Sequence, residues 1–150
     1  YNNLNINDQF VQENHSRSKG KILRGLHYTI KKPQSQILTV INGKIFDVVV
    51  DLRHDSSTFG EWESFELDSN KEQFQIYMPP GIAHGFCVLS EFADLHYKVS
   101  EFYNKNDEGG LIWNDPSINI HWPIKNPIVS LRDSSFPCLS NISKDKLPQV

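Results

Sequence analysis

Short runs of alternating or β-branched hydrophobic residues recur about every ten residues through the first two thirds of this 150-residue chain. Such runs are typical of β-strands, and the Gly, Pro and Asn residues between them are typical of turns. The runs predict strands over residues 22–28, 37–41, 45–50, 62–67, 74–78, 86–89 and 93–99. No segment before residue 100 shows the 3.6-residue period of a helix. The pattern therefore predicts an all-β sandwich or barrel.

Three connecting segments complete this picture. Asn42-Gly43 is a strong signal for a hairpin between the strands on either side of it. Residues 12–18 are densely polar, which leaves open a solvated loop or a segment whose amides contact a ligand. After Asp115 the chain is rich in Pro and Ser, which predicts an irregular wrap. With no repeat and no linker, we expect one domain over 1–150, and the start at Tyr1 suggests that a native N-terminal segment is missing.

The composition excludes several classes of function. Hydrophobic residues make up 38% and charged residues 22% of the chain, which argues against disorder. A net charge of -3 gives no general electrostatic reason to bind nucleic acid or an anionic membrane. The longest uninterrupted apolar run is residues 86–89, far short of a membrane span. Two isolated cysteines do not predict a disulfide framework or a zinc site, so we expect a reducing, cytoplasmic setting.

Two histidines and a tyrosine are candidates for acid–base chemistry. Strand alternation puts Arg24, Leu26 and Tyr28 on one face, and His27 on the other. His84 follows a Pro-Gly turn, and Tyr97 falls on the inner face of its predicted strand. A phenol facing an imidazole can act as acid opposite a base.

Two carboxylates could support these groups. Asp47 interrupts the apolar run of its strand, and Asp133 lies in a tail segment that can fold over the sheet. Either one can orient an imidazole. Taken singly, each of the five groups is equally consistent with a structural role.

Six motifs in order resemble the dTDP-4-dehydrorhamnose 3,5-epimerase family, the nucleotide-sugar epimerases with a cupin jelly roll. They are F-V-Q-E-N-H-S (10–16), L-R-G-L-H-Y (23–28), F-D-V-V-V-D-L-R (46–53), S-T-F-G (57–60), P-P-G-I-A-H-G-F (79–86) and I-W-N-D-P (112–116). The resemblance runs from about Phe10 to Phe136. It implies a cupin-type jelly roll (a double-stranded β-helix) with short helices at the C-terminal end, a nucleotide-diphosphate-sugar substrate and a homodimer.

The resemblance also implies roles for individual residues. His27 matches the base that removes a proton next to the C4 ketone, Tyr97 the acid on the opposite face, and Asp133 the partner of the base. The residues that match substrate contacts are Gln12, Glu13, Asn14, Arg24, His84 and Tyr103, with Asn114 and Arg132 as weaker candidates. No cofactor is implied, because the ketone itself accepts the electrons. No metal is implied either, because Thr29 stands where metal-binding cupins carry the second histidine of an H-x-H pair.

One position departs from the family pattern. Gln36 stands where members commonly carry a lysine near the forming enolate. A neutral hydrogen-bond donor is weaker than a charge-assisted one. Three explanations follow: Lys31 or Lys32 reaches into the site, the oxyanion is stabilised in another way, or the substrate differs. GDP-, CDP- or UDP-linked sugars, including GDP-4-keto-heptoses, therefore stay open beside thymidine. So do two other functions, a 3,4-ketoisomerase and an inactive sugar-nucleotide-binding cupin.

Overall fold

The computed structural model describes residues 4–71 and 74–150, and most of its regular structure is β-strand. The strands of this part of the chain are β1 (Gln12–Lys19), β2 (Ile22–Thr29), β3 (Gln36–Asn42), β4 (Lys44–Asp51), β5 (Trp62–Asp68), β6 (Gln75–Met78), β7 (Ile82–Val88), β8 (Phe92–Val99), β9 (Glu108–Gly110) and β10 (Ile128–Val129). The short helix α1 (Leu131–Ser134) and two 3₁₀ turns, Leu139–Asn141 and Lys144–Lys146, lie in the tail. A further 3₁₀ turn, Lys105–Asp107, precedes β9. The predicted short C-terminal helices are confirmed.

The strands form two sheets. One sheet has the order β1-β8-β3-β6, and the other has the order β10-β2-β7-β4-β5 with β9 also paired to β2. Neighbouring strands are antiparallel, except that β10 runs parallel to β2. The chain crosses from one sheet to the other several times, as in a jelly roll. The all-β jelly-roll prediction is therefore confirmed.

Strand β4 shows how the sequence builds the core. Ile45 and Val49 point to the cluster between the sheets, whereas Val48 and Val50 point to a second cluster formed with the tail. Both faces of β4 are buried, which explains its nearly continuous apolar run. Because side chains alternate, Asp47 shares the inner face with Ile45 and Val49 and lies between the two sheets.

One local prediction is wrong, and one question that the sequence left open is answered. Asn42-Gly43 does not close a hairpin, because β3 pairs with β6 and β8 while β4 pairs with β5 and β7. The turn instead carries the chain between sheets. Gly43 has φ +86°, and a Cβ there would overlap the carbonyl of Phe92. The polar stretch at residues 12–18 is not a loop but part of β1, an edge strand with β8 as its one strand neighbour in the described chain.

In the part of the chain that the structure describes, no helix has the length and apolar character needed to span a bilayer.

Candidate active site

A β-bulge in β2 aims two side chains at one cavity. Arg24 pairs with Phe86 and His27 pairs with His84, so β2 carries one residue more than β7 between the two pairs. Gly25 lies in the bulge with φ +104°, and a Cβ there would lie 2.6 Å from the carbonyl oxygen of His84. The prediction that Arg24 and His27 face opposite ways is wrong, because the extra residue breaks the alternation.

We call this space between the sheets the inner cavity. Arg24, His27, His84, Tyr97, Asn14 and Gln36 are among its lining residues. An adjoining outer groove shares His27, Gln34, Gln36 and Glu108 with it and also contacts Lys32 and Tyr103. The structure therefore brings most of the predicted site residues around one continuous cleft.

His27 is held by the tail. Its Nε2 lies 2.9 Å from Asp133 Oδ1, and the N–H of Gly25 donates to Asp133 Oδ2 at 2.9 Å. Burial raises the pKa of Asp133, but the bonds from His27 and Gly25 and the charge of Arg132 outweigh it, and the pKa is about 2. When the hydrogen lies on Nε2, the ionised carboxylate accepts it and Nδ1 keeps a free lone pair. A group with that lone pair can remove a proton.

His84 has a carboxylate partner of its own. Its Nε2 lies 2.6 Å from Asp47 Oδ2, and Asp47 is completely buried. The other oxygen, Oδ1, has no hydrogen-bond partner among the described residues. Burial raises the pKa of Asp47 and outweighs the attraction of His84. Asp47, proposed from the sequence as support for an imidazole, therefore contacts His84 and not His27.

Tyr97 reaches the inner cavity from the opposite sheet. It lies on the face of β8 that is packed against the core, as the alternation predicted. Its ring centroid is 6.3 Å from that of His84, in an edge-on arrangement. Burial raises the pKa of Tyr97 well above its ordinary value, so the phenol keeps its proton and can donate it.

The outer groove carries the exposed aromatic ring of Tyr103. Oε1 of Gln12 accepts the N–H of Tyr103 at 3.0 Å, and Nε2 of Gln12 donates to Asn14 at 2.9 Å. Gln12 therefore fixes the loop that carries Tyr103 against β1. Of the two lysines considered for the place of Gln36, Lys32 lines the groove.

Three predicted contacts lie elsewhere. Glu13 is on the outer face of β1, where it pairs with His96 and Lys98 at 3.3 Å each, because adjacent residues of a strand point opposite ways. Asn114 lines a separate depression beside Trp113 and Trp122, to which the tail carries it. Arg132 contacts His27 itself rather than the inner cavity.

The sequence reasoning missed two neighbours of the site. Glu108 lines both parts of the cleft, and it belongs to a strand too short to leave a hydrophobic pattern. Phe136 packs edge-on against His27 with ring centroids 5.7 Å apart. The one sequence feature that pointed to Phe136 was its position at the last residue of the stretch that resembles the family.

Over residues 4–71 and 74–150, no group of three or more His, Cys, Asp or Glu side chains is placed to hold a metal ion. The arrangement itself combines an imidazole oriented by a carboxylate with a protonated phenol from the facing sheet. Such a pair can remove a proton from one side of a bound carbon acid and return one from the other.

Comparisons with known proteins agree with this chemistry. The family model described as dTDP-4-dehydrorhamnose 3,5-epimerase matches residues 1–141. A Shigella flexneri protein of that name is 46% identical over 126 residues, which are 83% of this chain and 69% of the relative. A Neisseria gonorrhoeae protein of the same name is 47% identical over 145 residues, 95% of this chain and 44% of the relative.

A solved structure gives the same result. The dTDP-6-deoxy-D-glucose-3,5-epimerase of Legionella pneumophila, in complex with dTDP-4-keto-L-rhamnose, superposes with a TM-score of 0.94 at 39% identity. The match covers 99% of this chain and 79% of that one. The resemblance seen in the sequence is confirmed, and this chain belongs to the dTDP-4-dehydrorhamnose 3,5-epimerase family of isomerases.

Proposed function

We propose that this protein epimerises C3 and C5 of a dTDP-linked 4-keto-6-deoxyhexose. The observation that carries the proposal is the facing of His27 and Tyr97 across one cavity, with His27 held by an ionised carboxylate. The names of the relatives support the choice of the sugar and of the thymidine nucleotide.

The reaction follows from the geometry. Nδ1 of His27 takes the proton from a carbon next to the ketone, and the electron pair moves into the carbonyl to give an enolate. Tyr97 then donates its proton to the same carbon from the opposite face, which inverts the centre. The phenol regains a proton and the imidazole loses one to water, so no oxidation state changes. A positioned acid or base of this kind contributes about 10²- to 10⁴-fold in rate.

Donors around the cleft serve the charged parts of the substrate. Arg24 lines the inner cavity, where a guanidinium suits a diphosphate, and Tyr103 offers a ring on which a nucleobase stacks. Gln36 lines both parts of the cleft and supplies a neutral donor near the enolate. Lys32, in the adjoining groove, supplies the positive charge that Gln36 lacks.

We further propose that residues 1–150 act as one catalytic domain within a cytoplasmic homodimer. The free thiols of Cys87 and Cys138 support a reducing compartment. The dimer rests on the family resemblance, and sedimentation of the purified protein tests it.

Incubation with dTDP-4-keto-6-deoxyglucose in heavy water, followed by proton NMR, tests the reaction. We expect deuterium at C3 and C5 and an inverted product. Deuterium at only one of the two carbons would identify a mono-epimerase. A carbonyl that has moved from C4 to C3 would identify a 3,4-ketoisomerase. Absence of exchange, with tight binding, identifies an inactive binding cupin. The same assay with GDP-, CDP- and UDP-linked 4-keto sugars tests the choice of nucleobase.

A further inference from the structure

Arg132 lies where the tail meets the candidate base, and its guanidinium contacts three side chains. Nη1 donates to Oε2 of Glu108 at 2.8 Å, and Nε donates to Oδ1 of Asp133 at 3.2 Å. Nη2 lies 2.9 Å from Nε2 of His27. Nε and Nη1 of the guanidinium therefore already have carboxylate partners. An arginine that binds a phosphate through two parallel hydrogen bonds needs two neighbouring N–H groups without other partners.

Arg132 and Asp133 compete for the same ring nitrogen of His27, Nε2. Nε2 of His27 lies 2.9 Å from both Asp133 Oδ1 and Arg132 Nη2. A nitrogen of a neutral imidazole carries either a hydrogen or a lone pair, so Nε2 can satisfy one of these neighbours and not both. With the hydrogen on Nε2, the bond to Asp133 forms and Nδ1 is a base. With Arg132 donating into Nε2, the hydrogen moves to Nδ1, which can then no longer accept a proton.

Two further contacts favour the first arrangement. Arg132 binds the same Oδ1 that accepts from His27, so the carboxylate cannot turn away from the ring. Glu108 binds Nη1 at 2.8 Å and so anchors the guanidinium beside Asp133. The ring of Phe136, 5.9 Å from the guanidinium carbon, covers one face of the cation.

We infer that Arg132, anchored by Glu108, is a positioning residue that keeps Asp133 on Nε2 and His27 in its base-competent tautomer. It is thus not a substrate contact. The inference rests on the proposed function for its kinetic consequence, but the tautomer can be observed without any substrate.

The kinetic test uses Arg132→Gln, Glu108→Gln and the double variant. We expect Arg132→Gln to lower kcat about 10- to 100-fold through misplacement of the base, with KM within about threefold of wild type. Glu108→Gln should lower kcat about tenfold, and the double variant should match Arg132→Gln within about threefold because both changes break one network. Arg17→Gln is the matched control, since Arg17 binds Asp94 through two bonds of 2.8 Å outside the cleft.

Two kinetic results would overturn the inference. A tenfold rise in KM with unchanged kcat in Arg132→Gln makes Arg132 a substrate contact. Fully additive losses in the double variant remove Glu108 as the anchor. Arg132 is half-exposed on a short helix, so the variant should fold, and thermal unfolding checks this.

Nitrogen-15 NMR of the His27 ring in the substrate-free protein gives the independent measurement. We expect the hydrogen on Nε2 in the wild type and a mixture of tautomers in Arg132→Gln. A hydrogen on Nδ1 in the wild type, or an unchanged spectrum in the variant, contradicts the inference. If the wild type turns over no sugar at all, the proposed function fails while this measurement still decides the role of Arg132.

Discussion

The protein contains two histidine–carboxylate pairs whose histidines line the same cavity. The pairs differ in their exposure to solvent and in where their carboxylates come from. In the first pair the side chain of His27 is 29% exposed, and its partner Asp133 comes from the tail, 106 residues along the chain. In the second, His84 and Asp47 lie on the adjacent strands β7 and β4, and their side chains are 9% and 0% exposed.

The surroundings shift the pKa values of the two carboxyl groups in opposite directions. Asp133 accepts a backbone N–H and faces Arg132, and its pKa of about 2 keeps it ionised. Burial raises the pKa of Asp47, whose second oxygen has no hydrogen-bond partner in the described part of the chain. A base must be stabilised as an imidazolium once it has taken a proton, and a fixed anion does this. In the proposed reaction that task falls to His27, and His84 acts as an oriented donor.

Replacing each histidine in turn should have the largest effect. We expect His27→Asn to lower exchange at both C3 and C5 by about 10³- to 10⁴-fold, because the base is lost. His84→Asn keeps a donor and should lower it by about 10- to 100-fold. Deuterium wash-in followed by NMR measures both. Near-normal exchange in His27→Asn, or the reverse order of the two losses, would show that the base is misassigned.

Tyr97→Phe separates proton loss from inversion. The variant keeps His27 and should still exchange the substrate proton within about tenfold of wild type, while inverted product falls about 100-fold. The ratio of labelled substrate to inverted product, from one NMR time course, is the measurement. An unchanged yield of epimer would reject Tyr97 as the acid.

Gly25→Ala tests the bulge that turns Arg24 and His27 toward one cavity. Gly25 and Gly60 both have positive φ, but a Cβ at Gly60 meets nothing closer than 3.6 Å, whereas one at Gly25 meets backbone at 2.6 Å. We expect Gly60→Ala to cost about 1 kcal/mol of unfolding free energy and Gly25→Ala about 2 to 3 kcal/mol, in urea titrations. Equal costs would mean that the close approach of β2 and β7 is not needed.

The smallest expected effect is a pair of opposite pH slopes. The pKa of Asp133 is lowered, so its charge stabilises the folded state above about pH 4 and this contribution is lost as the pH falls towards the folded pKa. The pKa of Asp47 is raised, so its contribution is greatest at low pH and is lost as the pH rises above about 4.

We therefore expect wild type to gain about 1 kcal/mol over Asp133→Asn between about pH 2 and 4. Relative to Asp47→Asn, it should lose stability as the pH rises above about 4. Urea titrations across this range measure both differences. Slopes of the same sign would refute the contrast between the two pairs.

Patterns of hydrophobic residues located the long strands, because a strand buried on one face has alternating hydrophobic residues and a strand buried on both faces has a continuous run of them. The edge strand β1 escaped because it is polar and has one strand neighbour in the described chain, and β9 and β10 are too short to show alternation. The turn at Asn42-Gly43 was misread because the same dipeptide suits a hairpin and a crossing between sheets. Its surroundings, not its sequence, decide between them.

The site was harder to predict than the fold. Local alternation placed Tyr97 correctly but failed at Arg24 and His27, where the bulge adds a residue. The residues alone did not distinguish Asp133 from a turn residue, and its pairing with His27 came from the family resemblance. The Arg132–Glu108 contact joins residues of two short elements and had no sequence signal.

Since Asp133 follows all ten strands of the described chain, both sheets are translated before the residue that holds the base. The two sheets by themselves therefore do not complete the site. The arrangement around His27 also requires the docked tail, because α1 carries the acceptor of the imidazole.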